Sequence, residues 1–509
     1  MVKVERTVAV RTASPHRTAW LLFGCIFCAA LLLYARTAAP SVLSGDSAEF
    51  QFVAPTLSVA HPTGYPLYTL LGWLYVTLLP VGDPAYRVTL VASSCAAGVV
   101  ALVALCTLHL TRSRIAAGLI LPVLACAPGL WHIAGIAEVY ALHLMLIALL
   151  GFCLLRADND PRMIYAAALV TGLGVSNHAS FAFIAAPLSL AVAVASLWGG
   201  RQQPGAVLRS AGLLLICGLA GLSPWLYLFV RYAQLGPFDG LAHGLPRAYF
   251  WGAPTSIGAV VDHLSGGALR DSVFRPPDLP ILAATLGTLA ERLRFEFGEL
   301  GLLLGLIGAW RLWIRHRRAA LACFWVAGVT ALYFASLGQA VQDALLFALP
   351  ILPVWALWAG VGIACFAARV RPLRPRVRIA WLSGLAALLV LWASSRYPYG
   401  NKSAQWLFRD FGTAVLSQVE PNAVVFTRWE QGTILLYLQR VEGIRPDVRV
   451  DVSEPEDESW EARIRVYGTE RPIYLIGSAE DAQRFQATPR IEQEYGALWR
   501  VGSPVPAPQ

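Results

Sequence analysis

The stretch Ser44-Gly45-Asp46-Ser47-Ala48-Glu49-Phe50, followed by His61-Pro62-Thr63-Gly64-Tyr65-Pro66, decides how the rest of the chain is read. It comes directly after an apolar run, residues 19–35, that is long enough to be a membrane helix. Two carboxylates, a histidine and two prolines therefore stand where the chain has just left a bilayer.

Composition supports that setting. The 509 residues are 57% hydrophobic and only 14% charged, whereas soluble domains carry about a quarter charged residues. Long apolar runs with few charges mean membrane spans, so the chain reads as a polytopic membrane protein. A net charge of +9 would suggest nucleic acid only if it clustered on a soluble domain. Here the basic residues lie in short loops between apolar runs, the positive-inside pattern, and nucleic acid is set aside as a partner. All nine cysteines (25, 28, 95, 106, 126, 153, 217, 323 and 365) fall in apolar segments and read as small buried hydrophobes. Lysine occurs only at Lys3 and Lys402 while arginine is abundant, a mark of a GC-rich bacterial genome.

Working outward from the quoted stretch, Lys3, Arg6, Arg11 and Arg17 precede the first apolar run. A cleavable signal peptide competes with a retained helix there. The run is long for a signal sequence and many spans follow, so the reading is a retained helix with its N-terminus in the cytoplasm and Ser44–Glu49 outside. Residues 64–82 are apolar enough to span, but a span there would put Arg112 and Arg114 outside and invert every later basic loop. Read instead as a re-entrant or interfacial hairpin, punctuated by Pro66, Pro80 and Pro84, they leave each cytoplasmic loop basic. The expected spans are then 19–35, 88–110, 115–131, 139–155, 163–176, 179–199, 210–230, 300–314, 319–338, 344–368 and 379–395, eleven in all. Residues 281–299, with Leu282, Leu286, Leu289 and Leu293 at helical spacing, read as an amphipathic surface helix after a Gly/Pro-rich outer loop.

This topology collects Asp46, Glu49, His61, Glu138, Asn177-His178 and Asp343 on one side of the membrane. Ionisable residues at spans are costly and usually mark function, and their collection at one face argues for an outward-facing site. Each also has a structural reading. Asp46-x-x-Glu49 fits a helix cap followed by an acid at the third position, although the same helix end would offer amides to a phosphate. Asn177-His178 fits a tight turn, and Asp343 fits a cap on the helix that follows. Arg231, Arg247, Arg270 and Arg275 in the outer loops fit solvated positions singly; as a set they suit an anionic ligand such as a lipid phosphate.

After Ser395 the composition becomes that of a soluble protein. Helices at 403–419 and 431–440 alternate with strands at 423–427, 448–452 and 472–476, as in a small α/β domain. The expected fold is thus mainly α, a polytopic helical bundle over 1–398 with first outer loop 37–87 and a second at 231–299, and an extracytoplasmic α/β domain over 399–509. The acidic run Glu454-Pro455-Glu456-Asp457-Glu458 reads as a solvated loop. No Walker-type glycine loop, GxSxG elbow or HExxH occurs, so an activated donor would have to arrive through the membrane.

The first-loop motifs resemble those of membrane proteins related to protein O-mannosyltransferases, including the animal transmembrane O-mannosyltransferases of the plexin/IPT type. Further matches are Ile136-Ala137-Glu138-Val139-Tyr140, Gly174-Val175-Ser176-Asn177-His178 and Tyr437-Leu438-Gln439-Arg440-Val441-Glu442-Gly443-Ile444-Arg445-Pro446-Asp447-Val448, which together span most of the chain. The resemblance implies a GT-C fold, a catalytic acid in the first outer loop and a polyprenyl-phosphate sugar donor. Sugar and acceptor do not carry over.

The implied reaction is transfer of a sugar, mannose or another hexose, to an acceptor hydroxyl on a protein or glycan, with inversion. Asp46 would be the general base, Glu49 and Glu138 would position it or the acceptor, and His61, Tyr65, Tyr140, Asn177, His178, Arg231 and Asp343 would bind substrate. No cofactor is required by this reading and no metal site is assigned, although the carboxylates leave a divalent ion open. The expected location is the bacterial cytoplasmic membrane. A transporter or flippase for a lipid-linked glycan also accounts for eleven spans and an acidic cavity, but less well for acids at one face and for the lack of an inverted repeat. A non-catalytic, glycan-binding member is a third reading.

Overall fold

The computed structural model describes residues 15–198, 204–235, 256–265, 277–337, 344–453, 459–468 and 470–502. Helix α1 (Pro15–Thr37) leads into α2 (Gly45–Thr56), α3 (Pro66–Leu78) and α4 (Pro84–Thr111). The last of these is the pillar of the fold. It is 28 residues long, about 42 Å at ~1.5 Å per residue. Its start is written in the sequence: Asp83 accepts the amide of Tyr86 at 2.8 Å and Pro84 takes the first helical position. Helix α3 has 13 residues, about 20 Å, short of the ~30 Å hydrocarbon core, so it does not cross alone. It leans on α2 so closely that a Cβ on Gly72 would come within 2.6 Å of the Ala54 methyl.

Among the described residues, eight helices are long and apolar enough to cross a membrane, or up to nine if one bent pair counts as a single span, against the eleven expected; Met163–Asn177 and Ala186–Trp198 are apolar but shorter. The chain is a multi-pass membrane protein. Most expected spans appear with ends moved by a few residues, and the differences have causes. The span expected at 115–131 is broken into α5 (Arg114–Ile120), a π turn (Leu121–Ala125) and α6 (Pro128–Ala134), bent by 70°. Pro122 and Pro128 remove backbone donors there. Next come α7 (Tyr140–Ala157) and α8 (Met163–Asn177); the span expected at 179–199 is two helices, Phe181–Ile184 and Ala186–Trp198. The helix expected at 210–230 instead runs Pro204–Leu222 and restarts at Trp225 beyond Ser223-Pro224. The surface helix and the span on either side of residue 299 form one element, Leu279–Arg315, interrupted at Gly298, whose φ of 63° is open to glycine at little steric cost. The expected span 344–368 opens with a 3₁₀ turn, Ala344–Ala348, before the helix Ile351–Val370.

Not every buried acid in this bundle marks a site. Glu296 lies in the Leu279–Arg315 helix, and its carboxylate takes the amide of Gly129 (3.0 and 2.8 Å) and pairs with Arg292 (2.6 Å). It closes the orphan N-terminus of α6.

The C-terminal part carries a five-stranded sheet in the order β2-β1-β3-β5-β4, with β1 Val424–Thr427, β2 Arg449–Val452, β3 Ile473–Gly477, β4 Ala487–Gln493 and β5 Gly496–Val501. The first three strands are parallel and the β4–β5 hairpin is antiparallel. Strands β1–β3 and the helices Leu407–Gln418 and Trp429–Arg440 match expectation; the hairpin was not foreseen. The acidic run 454–458 lies outside the described residues. The buried apolar core is continuous from α1, α2 and α4 to Phe411, Leu435 and Tyr437, so this domain is packed onto the membrane body.

The motif at 437–448 explains part of that packing. Arg445 donates to the carbonyls of Leu416, Val419 and Glu420, closing the end of the Leu407–Gln418 helix, and is held by Asp447. Glu442 grips Arg409 at 2.5 and 2.7 Å, and Arg409 also reaches Ser41 (3.2 Å) and Asp83 (3.5 Å) of the first loop. The motif is a brace.

Candidate active site at the mouth of the first loop

Helix α2 begins at Gly45, with Ser44 extended before it and no side-chain cap. The capping-box reading of Asp46 and Glu49 therefore fails, because both carboxylates are used elsewhere. Glu49, fully buried, accepts the backbone N–H of His61 at 2.8 Å and bonds the His61 ring at Nδ1. Asp46 faces the other ring nitrogen of His61 at 3.8 Å. Its side chain is 53% exposed, and its second oxygen accepts the indole N–H of Trp429 at 3.2 Å. Gln51 fastens the helix behind them: its carbonyl takes the amide of Leu43 at 2.8 Å and its amide reaches Thr89 at 3.2 Å.

Glu138, between α6 and α7, enters from the side and accepts the hydroxyl of Ser47 at 3.0 Å. Burial, with the charge of Asp46 next, pushes its carboxyl up to about 8 against the Ser47 hydrogen bond and His61. Burial also raises Glu49, opposed by His61. Burial pulls His61 down, but the charges of Glu49 and Asp46 and the Glu49 hydrogen bond prevail and lift it to about 10. At neutral pH the site thus holds an imidazolium and a protonated Glu138, and of its three carboxyl groups only that of Asp46 is half exposed.

An aromatic wall continues the site. Tyr65 packs edge-on to His61 (5.1 Å between ring centres) and lies 6.1 Å from His178. Tyr140 lies 5.9 Å from His178 and 5.6 Å from Phe347. His178 stands just past the end of α8, where burial first and the charge of His61 second push it down to about 4. At neutral pH its ring is therefore uncharged and can serve as a hydrogen-bond donor. Asn177 is fully buried; its amide nitrogen reaches the Val139 carbonyl at 3.4 Å and its oxygen has no partner among the described residues.

The structure thus brings together Asp46, Glu49, His61, Tyr65, Glu138, Tyr140 and His178, with Asn177 behind them. Arg231 is apart: it bonds Gln234 on its own helix at 2.8 Å, and no contact among the described residues joins it to the carboxylates. Asp343, Arg247, Arg270 and Arg275 lie outside the described residues. Sequence reasoning missed Ser47, His143, Ser180, Phe347 and Trp429. A histidine inside an apolar span was a signal for His143; nothing local singled out Trp429.

Asp46, Glu49 and His61 each offer one ligand atom, all within 4.8 Å of one another. A divalent ion there would take the carboxylate oxygens and ring nitrogen through which Glu49, Asp46 and His61 now face one another.

Comparison with known proteins agrees with the motifs. The family model for the "Protein O-mannosyl-transferase TMEM260 N-terminal domain" matches residues 46–199. The protein O-mannosyl-transferase TMEM260 of Mus musculus is 26% identical over 463 residues, covering 86% of this chain and 63% of that protein. Its counterpart in Dictyostelium discoideum is 23% identical over 496 residues, covering 86% and 57%. The chain spans about three-fifths of the length of these curated relatives. The crystal structure of ArnT from Cupriavidus metallidurans bound to undecaprenyl phosphate superposes with a TM-score of 0.61 at 12% identity, over 97% of this chain and all of that one. The resemblance drawn from the motifs is borne out, and the ArnT likeness bears out the GT-C fold.

Proposed function

We propose that this chain is a membrane glycosyltransferase that moves a sugar from a polyprenyl-phosphate donor to an acceptor hydroxyl, with inversion and with Asp46 as general base. The observation that carries the reading is the exposure of Asp46 beside two carboxyl groups that are not available. Glu49 is buried and engaged by His61, while Glu138 is buried and protonated. Only Asp46 of the three is half exposed, and it is oriented by Trp429 and faced by the His61 ring.

In the reaction, the acceptor oxygen attacks the anomeric carbon while its proton passes to Asp46. The bond between that carbon and the phosphate oxygen breaks, and the electron pair leaves with the lipid phosphate. The His178 ring meets the charge that develops on the leaving group, while the His61 imidazolium faces the Asp46 carboxylate. The names of the relatives favour mannose as sugar and a protein hydroxyl as acceptor. The basic loops favour a cytoplasmic N-terminus and catalysis on the extracytoplasmic side of a bacterial cytoplasmic membrane.

The test compares wild type, a deletion and Asp46→Asn at matched membrane levels in the native host, by intact-mass analysis of secreted proteins and envelope glycans. A hexose-sized increment lost in both the deletion and Asp46→Asn supports transfer, with a rate loss of about 10²–10⁴ expected on removing a general base. An increment lost only in the deletion overturns Asp46 as base and favours transport.

A further inference from the structure

Two buried groups behind the aromatic wall have no role in the reaction as described. His143 on α7 and Ser180, in the turn after α8, are each 3% exposed. They form a chain that ends on His178: His143 Nε2 lies 3.4 Å from Ser180 Oγ, and Ser180 Oγ lies 2.8 Å from His178 Nδ1. The backbone N–H of Ser180 also points at His178 Nδ1, at 3.2 Å.

That last contact fixes the direction of the chain. A backbone N–H only donates, so His178 Nδ1 must be the bare, accepting nitrogen. The ring proton is then on Nε2, because the bond made by one nitrogen of an imidazole sets the state of the other. Ser180 Oγ, donating to the same Nδ1, is left to accept, and His143 supplies Nε2–H. The remaining nitrogen of His143, Nδ1, is buried without a partner among the described residues, which agrees with a ring whose proton sits on Nε2. No hydrogen bond among the described residues engages His178 Nε2. Its ring centre lies 6.1 Å from that of Tyr65 and 5.9 Å from that of Tyr140, and Tyr65 in turn packs edge-on to His61.

We infer that His143 and Ser180 are positioning residues that lock His178 as the Nε2–H form, and that this neutral donor binds the phosphate joining sugar to lipid. The inference rests on the donor class proposed above and adds the residues that prepare its binding group. A neutral imidazole fixed by two donors at Nδ1 loses little rotational freedom when phosphate arrives, which is how a buried donor can serve an anion without itself being charged.

Two measurements test this on the full chain in lipid nanodiscs. The first is ¹⁵N NMR of histidine-labelled, ligand-free protein, with His178 assigned by its loss in His178→Phe. A protonated Nε2 and bare Nδ1 are expected; the reverse overturns the lock whatever the substrate. The second is the affinity for undecaprenyl phosphate as probe. His178→Phe should weaken binding about 10–100-fold and His143→Phe about 3–10-fold, the range for lost hydrogen bonds at a charged group. His143→Gln should restore most of the loss, since its amide nitrogen can stand where Nε2 stood. Equal affinities for His143→Phe and His143→Gln, whether both normal or both weak, overturn the positioning role. Failure of the wild type to bind the probe overturns the phosphate assignment and the donor class with it, while the NMR result still decides the lock.

Discussion

Replacing Glu49 by glutamine isolates what the buried carboxylate does for His61. The substitution keeps the shape and one acceptor, so the backbone bond from His61 survives and the charge does not. In the wild type, burial would depress the His61 imidazole, yet Glu49 and then Asp46 lift it from 6.5 to about 10. At ~1.4 kcal/mol per unit, this is about 5 kcal/mol of preference for the charged ring. Glu49 leads the upward contributions; Asp46 stands 3.8 Å away and is half exposed, so water screens it. Breaking a buried pair on one side costs ~3–5 kcal/mol, and the amide recovers part, leaving about 2–3 kcal/mol. The sign follows from the raised value: the His61 contribution is fully present below 6.5, as long as Glu49 stays ionised, and is lost as pH rises through about 10. Glu49→Gln should therefore melt well below wild type at pH 6.5, and the gap should close by about pH 10. Fluorescence-detected melting in nanodiscs across that range is the assay. A gap that is constant, or that widens with pH, refutes an ionised Glu49–His61 pair.

Two other perturbations read the same cluster. Glu138 is held up to about 8, so it is neutral at pH 7 and gains a charge beside Asp46 above that value; the pH profile of donor turnover should show a limb near 8 that Glu138→Gln removes, and a wild-type profile flat through that region contradicts the assignment. Trp429→Phe removes the indole donation to Asp46, but water can replace it at a half-exposed carboxylate; turnover should fall only about 3–10-fold, with an unchanged melting temperature, and a loss as deep as that of Asp46→Asn would mean the indole does more than orient the base.

What was legible in the sequence was set by local physics. The spans are runs that must be apolar, and α4 announces itself through Asp83-Pro84. The Gly298 break was readable within a residue or two because the amphipathic pattern stops there. Asp46, Glu49, His61 and Glu138 stood out because ionisable groups beside spans are costly. The broken crossing at 114–134 was not, since its prolines compete with an otherwise continuous apolar run and only packing decides how it bends. The β4–β5 hairpin escaped because β4 is largely exposed and carries Pro489 and charged residues. Trp429 is 383 residues from Asp46, and no local pattern reports a contact at that separation.

That contact changes what the C-terminal domain is for. A solvated appendage would share no core with the bundle and lend nothing to its backbone. Here Tyr437, fully buried, accepts the amide of Ala85 at 3.1 Å, closing one of the orphan donors at the start of α4 that Asp83 leaves open. Arg409 ties Glu442 to Ser41 and Asp83 on the approach to the same helix. The Trp429–Arg440 helix that carries Tyr437 also sets Trp429 against Asp46. One rigid element therefore braces the pillar of the bundle and orients the reachable carboxylate. The domain is thus docked on the loop that carries Asp46, and its docking holds Trp429 against that carboxylate.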